Sequence, residues 1–245
     1  MATVQKIYEE MQRMAPLELA ESWDNPGLLV DCGREVSRVL VTLDITPEVV
    51  EEAAAGGCEL IVSHHPVIFS PLKKLTPRDV SFQLVQKGIS AICMHTNLDA
   101  AEGGVNGVLA EKLGLLDTQP LTEEKIGRVG TLKCELPLVD FTRFVVELLG
   151  CNGLRFTDCG KAVHRVAVGG GACGEYIAQA IALGCDTFVT SDLRYHDFLD
   201  TKELNLIDAG HFWTENPVCD ALAAQLRRAF PALRVMQSET HTDVT

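Results

Sequence analysis

At 245 residues, with 47% apolar side chains, the chain is long enough for one large or two modest α/β domains with a substantial core. No apolar stretch approaches the ~20 residues that a membrane-spanning helix needs, and the first residues predict a polar amphipathic helix rather than a secretion signal. We therefore expect a cytoplasmic protein with no membrane partner. The formal charge of -13 argues against non-specific binding to nucleic acid, because such binding depends on clustered Lys and Arg.

The chain has nine cysteines, but no two of them form a C-x-x-C pair and their number is odd. Both features argue against a disulfide framework and against a thiolate metal site. Because most of these cysteines lie inside or beside apolar runs, we expect them to be small buried side chains.

The first part of the chain predicts a helix followed by alternating strands and helices. Apolar residues at helical spacing predict a helix over Thr3–Met14, which Pro16 should end. The following runs predict a strand at Val39–Leu43, a helix at Pro47–Gly57 and a strand at Leu60–Val62. This alternation favours a mainly parallel sheet with helices on its faces.

The next helix has recognisable signals at both ends. Thr76 and Pro77 are suited to the N-cap and first turn of a helix that runs to Lys87 and is closed by Gly88. A short apolar strand, Ile89–Met94, follows it.

The chain also contains an internal repeat. A shift of 127 residues aligns Val36–His65 with Val163–Asp192 without a gap. The identities include Val39/Val166, Gly57/Gly184 and Cys58/Cys185. We interpret them as two copies of one β-α-β unit. A second echo, at a different offset, relates His95-x-x-x-Asp99 to His211-x-x-x-Glu215.

The repeat predicts an α/β fold of two lobes. Residues 1–120 should form the first lobe and residues 121–209 the second. Residues 210–245 should form a C-terminal segment, with a helix over Thr214–Phe230, that packs back on the first lobe.

Three polar stretches directly follow predicted strands. They are Ser63-His64-His65-Pro66, His95-Thr96-Asn97-Leu98-Asp99 and His211-Phe212-Trp213-Thr214-Glu215. Active sites of open α/β sheets lie where strands end, so we expect these side chains to meet. Imidazoles and carboxylates without paired thiols suit divalent transition metals, and the number of ligands suits two ions.

Each residue of this cluster has an expected role. A turn before Pro66 would let His64 and His65 bind different ions, with Asp99 and Glu215 as terminal or bridging carboxylates and His211 completing the set. His95 is either a ligand or, as we favour, a residue that orients a ligand through its other ring nitrogen. Asp44 lies near the site or caps the helix that starts at Pro47.

Two further segments have alternative interpretations. The loop Gly169–Gly174 lies between a strand and a helix, where it would bind an anion through its amides or simply form a tight, closely packed turn. Tyr195 and His196 are candidates for contacting a substrate or supplying a general acid, and a role in stabilising their loop is an equal alternative.

These motifs resemble those of the Nif-three-like family of dinuclear-metal proteins, some of which carry the name GTP cyclohydrolase 1 type 2 homologue. The segments Trp23-Asp24-Asn25-Pro26-Gly27 and Ser191-Asp192-Leu193-Arg194-Tyr195-His196 echo the family as well. The resemblance implies two intertwined α/β lobes and a homohexameric ring built as a trimer of dimers. It also implies five metal ligands, with Glu215 as the bridge: His64, His65, Asp99, His211 and Glu215. The chain is too short for the mid-chain insertion domain of longer relatives.

The function expected from this pattern is a metal-dependent hydrolase with two divalent ions, which would be Zn, Fe, Mn, Co or Ni. A hydroxide that bridges the ions would attack a small nucleotide-like or phosphorylated substrate, as in a GTP cyclohydrolase, and Glu215 would be catalytic. One alternative is a non-catalytic metal-binding scaffold or regulator that interacts with other proteins. Another is a nucleotide-sensing module that uses the Gly169–Gly174 loop.

Overall fold

The computed structural model of the protein describes residues 1–243. In chain order, residues 1–95 form β1 (Ala2–Thr3), α1 (Val4–Met14), a 3-10 turn (Leu17–Leu19), β2 (Gly27–Val30), β3 (Glu35–Val36), β4 (Arg38–Thr42), α2 (Pro47–Ala55), β5 (Leu60–Ser63), α3 (Val80–Lys87) and β6 (Ser90–Cys93). Next come α4 (Thr96–Ala100), α5 (Val105–Lys112), β7 (Leu116–Pro120), β8 (Arg128–Leu136), α6 (Leu138–Leu149), β9 (Arg155–Thr157) and β10 (Val163–Val168). The rest comprises a 3-10 turn (Gly174–Tyr176), α7 (Ile177–Ala182), β11 (Thr187–Thr190), α8 (Tyr195–Asp200), β12 (Asn205–Asp208), α9 (His211–Glu215), α10 (Val218–Ala229) and β13 (Arg234–Gln237).

The described residues divide into two compact units. Unit 1 comprises residues 1–98 and 218–242, and unit 2 comprises residues 99–217 together with Asp243. The sequence suggests a first boundary near residue 120, but the structure has it at Leu98, since α5 contacts β8 and β7 pairs with β8. Residues 210–217 likewise belong to unit 2, while the segment from Val218 onward packs with unit 1.

Unit 1 contains a five-stranded sheet in the order β13-β4-β5-β6-β2. Its first three neighbouring pairs are parallel, and β2 adds to β6 in the antiparallel sense. The central strands β5 and β6 are buried along their whole length, as expected for continuous apolar runs covered on both faces. An amphipathic helix, α1, starts after Thr3, whose side chain accepts a hydrogen bond from the Lys6 amide.

Unit 2 contains a six-stranded sheet in the order β7-β8-β10-β11-β12-β9. Strands β10, β11 and β12 are parallel to one another, and the outer pairs are antiparallel. Its core includes Phe141, Val145 and Val189, which are fully buried. The predicted α/β class is therefore confirmed, with parallel strands in the middle of each sheet and antiparallel strands added at the side.

The register of the strands confirms the internal duplication. Val39 pairs with Leu60 in unit 1, and Val166 pairs with Thr187 in unit 2, so the same shift of 127 residues relates both partners. A carboxylate caps the start of each first strand. Glu59 accepts the amides of residues 37 and 38, and Asp186 accepts the amides of residues 164 and 165.

Two predicted helix boundaries are wrong. Helix α3 starts at Val80 rather than at Pro77, since the side chain of Asp79 accepts hydrogen bonds from the amide and hydroxyl of Thr76 and holds residues 76–79 as a turn. The predicted helix Thr214–Phe230 is two helices, α9 and α10, which are separated at Pro217, a residue with no amide hydrogen to donate.

The predicted state of the cysteines is confirmed for the described residues. The cysteines have no disulfide partner, and most of them are buried, Cys58, Cys93 and Cys185 among them. Within residues 1–243, every helix is too short or too polar to cross a bilayer.

Candidate metal centre

Two neighbouring parallel strands of unit 1 position three histidines. Ser63, the last residue of β5, pairs with Cys93, the last residue of β6, so the residues that follow leave the sheet at the same edge. The amide of His64 still donates to the carbonyl of Thr42, and the ring of His64 is fully buried. The sequence therefore delivers imidazoles to one strand end, as predicted from the apolar runs that precede them.

The three imidazoles of unit 1 form a compact group. Ring centroids are 4.9 Å apart for His64 and His65, 5.3 Å for His64 and His95, and 5.6 Å for His65 and His95. One ligand atom from each ring lies within 4.8 Å of the others, which is a spacing that could hold a metal ion. His95, for which the sequence favours an orienting role, thus stands among the potential ligands themselves.

Each ring of this group is held through Nδ1. His64 donates to the carbonyl oxygen of Met94 at 2.8 Å, and His65 is hydrogen-bonded to Oδ1 of Asp44 at 2.6 Å. His95 is hydrogen-bonded to a carboxylate as well, Oδ1 of Asp24, at 2.7 Å. Metal-binding histidines in proteins are typically oriented in this way, with Nε2 as the atom that would bind the ion.

Asp24 is a further candidate residue of this group, and the sequence singles it out only as part of a motif. Its side chain is fully buried, and its second oxygen accepts the amide and hydroxyl of Thr96 at 3.0 and 2.6 Å. Burial alone would raise the pKa of Asp24, but the hydrogen bonds from His95 and Thr96 outweigh it and hold the pKa well below its usual range. Asp24 is therefore an anion that fixes the His95 ring. Its position in the motif Trp23-Asp24-Asn25-Pro26-Gly27 was the available signal.

In unit 2, a histidine lies between two carboxylates. His211 and Glu215 lie one turn apart on α9, and Nε2 of His211 is 2.9 Å from Oε2 of Glu215. On its other side, Nδ1 of His211 is hydrogen-bonded to Asp192 at 2.7 Å. The hydrogen bond with Glu215, together with the charges of Glu215 and Asp192, raises the pKa of His211 to about 9 despite its burial.

Two carboxylates of unit 2 approach each other in a buried place. One oxygen of Asp99 and one of Glu215 lie within 4.8 Å, and Glu215 is 5% exposed. Burial, with the added charges of Asp99 and Glu215, raises the pKa of the neighbouring Cys173 thiol far above its usual range. Concentrated negative charge in a low-dielectric region is stabilised by a bound cation, so the electrostatics here favour a metal ion.

The Gly169–Gly174 loop packs against this carboxylate pair. Its amides are used within unit 2, since Gly170 donates to Asn106 Oδ1 and Gly171 to Thr214 Oγ1. Gly171 has φ +67°, and a Cβ there would lie 2.1 Å from Oε1 of Glu215. Of the two interpretations of this loop, the closely packed turn is the one that the contacts support, because the glycine leaves room for Glu215.

The remaining candidate residues lie in different surroundings. Asp44 is hydrogen-bonded to the ring of His65, and Thr46 rather than Asp44 caps α2. Tyr195 is 72% exposed on α8, and the contacts of His196 are with the Tyr195 ring and, at 3.9 Å, with Asp200. The structure therefore places Asp44 with the imidazoles of unit 1, while Tyr195 and His196 sit on an exposed helix.

The two similar motifs, His95-x-x-x-Asp99 and His211-x-x-x-Glu215, differ by one residue in their distance from the end of the preceding strand. Strand β6 pairs its last residue with Ser63, and β12 pairs its last residue, Asp208, with Thr190. Counted from these strand ends, His95 comes two residues later and His211 three. His211 therefore belongs to the helix α9, whereas His95 precedes α4. The two motifs therefore follow strands at similar places, but His95 and His211 do not occupy equivalent positions in the two copies.

Comparison with known proteins identifies the family. A family model described as Duf34/NIF3 (NGG1p interacting factor 3) matches residues 2–244 of the chain. This chain belongs to the Duf34/NIF3 family. The NIF3-family fold is shared with the Staphylococcus aureus hypothetical protein SA1388, whose solved structure matches with a TM-score of 0.92 at 29% identity over 99% of this chain and 98% of that one.

Related sequences in this family carry an enzyme-derived name. A protein of Nostoc sp. named "GTP cyclohydrolase 1 type 2 homolog" is 38% identical over 231 residues, which cover 84% of this chain and 88% of the relative. A protein of Clostridium perfringens with the same name is 34% identical over 226 residues, or 86% of each chain.

The donor groups of this NIF3-family protein fit a divalent transition metal. Buried His and Glu side chains lie at spacings that could hold an ion, and thiolates are absent from the candidate ligand groups of the described chain. Imidazole nitrogen and carboxylate oxygen are ligands that Zn, Fe, Mn, Co and Ni share. The hydrogen bonds at Nδ1 add the orientation that such ligands need.

Proposed function

We propose that this protein is a metal-dependent hydrolase with two divalent ions. The ligands are those expected from the sequence, with Glu215 as the bridging and catalytic carboxylate: His64, His65, Asp99, His211 and Glu215. The proposed substrate is a small nucleotide-like or phosphorylated molecule, in keeping with the GTP cyclohydrolase name that the relatives carry.

One observation carries the proposal. In each of the three motif stretches, the histidine rings are held through Nδ1 by a carboxylate or a main-chain carbonyl. A histidine that only stabilises a loop has no need of this arrangement at four separate rings. Ring orientation fixed in advance is what a metal site requires, because ligands must reach the ion without reorganising.

Divalent ions would supply, when bound, a lowered pKa for coordinated water and a positive charge that polarises the substrate. The protein's own groups prepare the site for this chemistry. Asp44 and Asp192 hold His65 and His211 in place through hydrogen bonds to Nδ1, an arrangement that increases the basicity of a metal-binding ring. Buried Glu215, packed against Gly171, has little freedom to turn away. Opening of a purine ring by water is a reaction of the proposed kind.

The proposed assembly is a homohexamer, arranged as a trimer of dimers. It rests on the family resemblance, and sedimentation equilibrium of the full chain tests it. A single species of six times the chain mass of 26.7 kDa is expected, and a stable monomer would contradict it.

The decisive experiment compares wild type with Glu215→Gln after metal loading. Elemental analysis should give two ions per chain in the wild type, and a panel of nucleotides and phosphoesters should reveal turnover that Glu215→Gln loses. Glu111→Gln, which changes an exposed carboxylate on α5, is the matched control and should behave as wild type. Bound metal without turnover across the panel would instead support a metal-binding scaffold, and absence of stoichiometric metal would refute the proposal.

A variant at His95 defines the ligand set. We expect His95 to orient its neighbours, so His95→Ala should keep two metal ions per chain and lower the affinity for them only moderately. Loss of a full ion equivalent would make it a ligand.

A further inference from the structure

Two large aromatic side chains stand exposed beside the imidazoles of unit 1. Trp23 is 60% exposed and Phe69 is 50% exposed, and their rings form a tilted pair with centroids 6.0 Å apart and an angle of 55° between the planes. Both rings also contact His95, with centroid distances of 6.3 and 6.4 Å and nearly perpendicular planes. Folding buries most aromatic rings of this size, so an exposed pair beside a polar site points to a binding role.

The loops that carry these rings are firmly held. Asn25 donates from Nδ2 to the carbonyl oxygen of Ile68 at 2.6 Å, which ties the residues next to Trp23 and Phe69 together. Asp24, adjacent to Trp23, is anchored by His95 and Thr96. The two rings are therefore exposed but preorganised, and a ligand that covers them does not have to order both loops first.

The loop that follows Phe69 has a charge opposite to that of the whole protein. Lys73, Lys74 and Arg78 occur within ten residues of Phe69, with Asp79 as the acidic neighbour. Asp79 is engaged by Thr76. In a chain with a net charge of -13, this segment is a local source of positive charge for an anionic ligand.

We propose that Trp23 and Phe69 form an aromatic platform for the planar heterocyclic ring of an anionic mononucleotide, which stacks on one of the two rings and contacts the other at an angle. Lys73 and Lys74 attract the phosphate of the same ligand. This inference rests on the proposed function and names the residues that select its substrate. Base stacking on aromatic side chains accepts any planar heterocycle, since every base has a π-face. A ring bound on this platform would lie next to His95, at the edge of the imidazole group.

A nucleotide explains the observations better than a protein partner does. An apolar protein segment would gain equally from the aliphatic side chains of the same loop, such as Leu72, which is 48% exposed. A nucleotide combines a planar ring, which stacks on an aromatic side chain, with a phosphate, which the lysines attract, in a single small ligand. The aromatic and basic residues therefore act on different parts of one ligand, and binding measurements can separate them.

The test uses GMP, guanosine and ribose 5-phosphate as probes of the full-length protein, titrated calorimetrically with and without added metal. Trp23→Ala and Phe69→Ala should each weaken GMP binding about tenfold or more, while Trp23→Phe keeps most of the affinity. Leu72→Ala, in the same loop, is the matched control and should bind GMP as wild type does. Lys73→Ala/Lys74→Ala should weaken GMP binding but not guanosine binding, and ribose 5-phosphate alone should bind poorly.

Metal content, measured on the same variants, separates this proposal from the proposed function. Unchanged metal with weakened GMP binding in the aromatic variants supports the platform. GMP binding that is absent in wild type, or unaffected by both aromatic substitutions, overturns it even if metal and turnover are present. A change of sedimentation in Trp23→Ala or Phe69→Ala would make the pair a contact between copies of the chain, which also overturns it. GMP binding by a protein that takes up no stoichiometric metal would leave the platform intact and refute the metal-dependent function.

Discussion

The two copies of the β-α-β unit use the same backbone for different chemistry. Both have a capping carboxylate, at Glu59 and Asp186, and both have the same pairing between their first two strands. At the end of the second strand the copies diverge. His65 in the first copy corresponds to Asp192 in the second, so an imidazole stands where the other copy has a carboxylate.

This difference shows how a duplicated scaffold can specialise. In the first copy, the second residue after the strand is His65, and Asp44 orients its ring through a hydrogen bond. In the second copy, the second residue after the strand is Asp192, which orients the ring of His211 through a hydrogen bond. Asp44 itself corresponds to Gly171, which leaves space for Glu215. The capping groups that fix the strands are thus kept, while the residues beyond the strand ends exchange roles.

The largest effects are expected at the carboxylates that hold the rings. Asp44→Asn and Asp192→Asn should each lower the affinity for Zn²⁺ or Mn²⁺ by about 10- to 100-fold, because the rings lose the anion that orients them and increases their basicity. Competition with a chromophoric chelator measures this. Equal losses would show that the exchanged roles are equivalent. Wild-type affinity in both variants would mean that these carboxylates do not support metal ligands.

A smaller effect is expected at the glycine that replaces Asp44 in the second copy. Gly171→Ala should destabilise the protein by about 1 kcal/mol through its positive φ, and the displacement of the Glu215 carboxylate should add to this cost. Gly184→Ala is the matched control, since Gly184 has φ +72° and nothing within 4 Å of an added Cβ. Urea unfolding should give a larger loss of stability for Gly171→Ala than for Gly184→Ala, and only Gly171→Ala should lose metal. Loss of metal in Gly184→Ala as well would remove the special role of Gly171.

The smallest effect concerns Glu59, the capping carboxylate of the first copy, and depends on pH. Burial by itself would raise the pKa of Glu59. The carboxylate accepts hydrogen bonds from the amide and hydroxyl of Ser37 and from the amide of Arg38, and these outweigh burial, so the pKa of Glu59 is below its ordinary value. The stabilisation is therefore fully present above the unfolded pKa of about 4.3 and is lost as the pH falls through the folded pKa.

Glu59→Gln should accordingly cost about 1 kcal/mol of unfolding free energy at pH 7, and this difference from wild type should shrink below about pH 4. Denaturant unfolding of Glu59→Gln and wild type at a series of pH values checks this. A difference for Glu59→Gln that grows towards low pH would contradict the assigned role.

Much of the fold could be predicted because buried parallel strands leave a strong mark on a sequence. Runs such as Leu60–Val62 are continuously apolar, and the gapless repeat of Val36–His65 exposes the duplication directly. The polar stretches that begin at Ser63, His95 and His211 follow these runs, so their position at strand ends could also be predicted. Residue type and strand periodicity are local properties, and the sequence alone determined them.

Only the tertiary structure decided which groups hold the rings and where the chain passes between units. Asp24 and His95 are 71 residues apart, and no local pattern pairs them. The turn made by Asp79 and Thr76, the break at Pro217 and the space beside Gly171 likewise depend on distances of a few ångströms between loops. Hydrogen bonds and close packing change with shifts of a few tenths of an ångström, whereas the burial of an apolar run does not depend on such small shifts. For that reason the sequence predicted the strands but not the hydrogen-bond partners of the histidines.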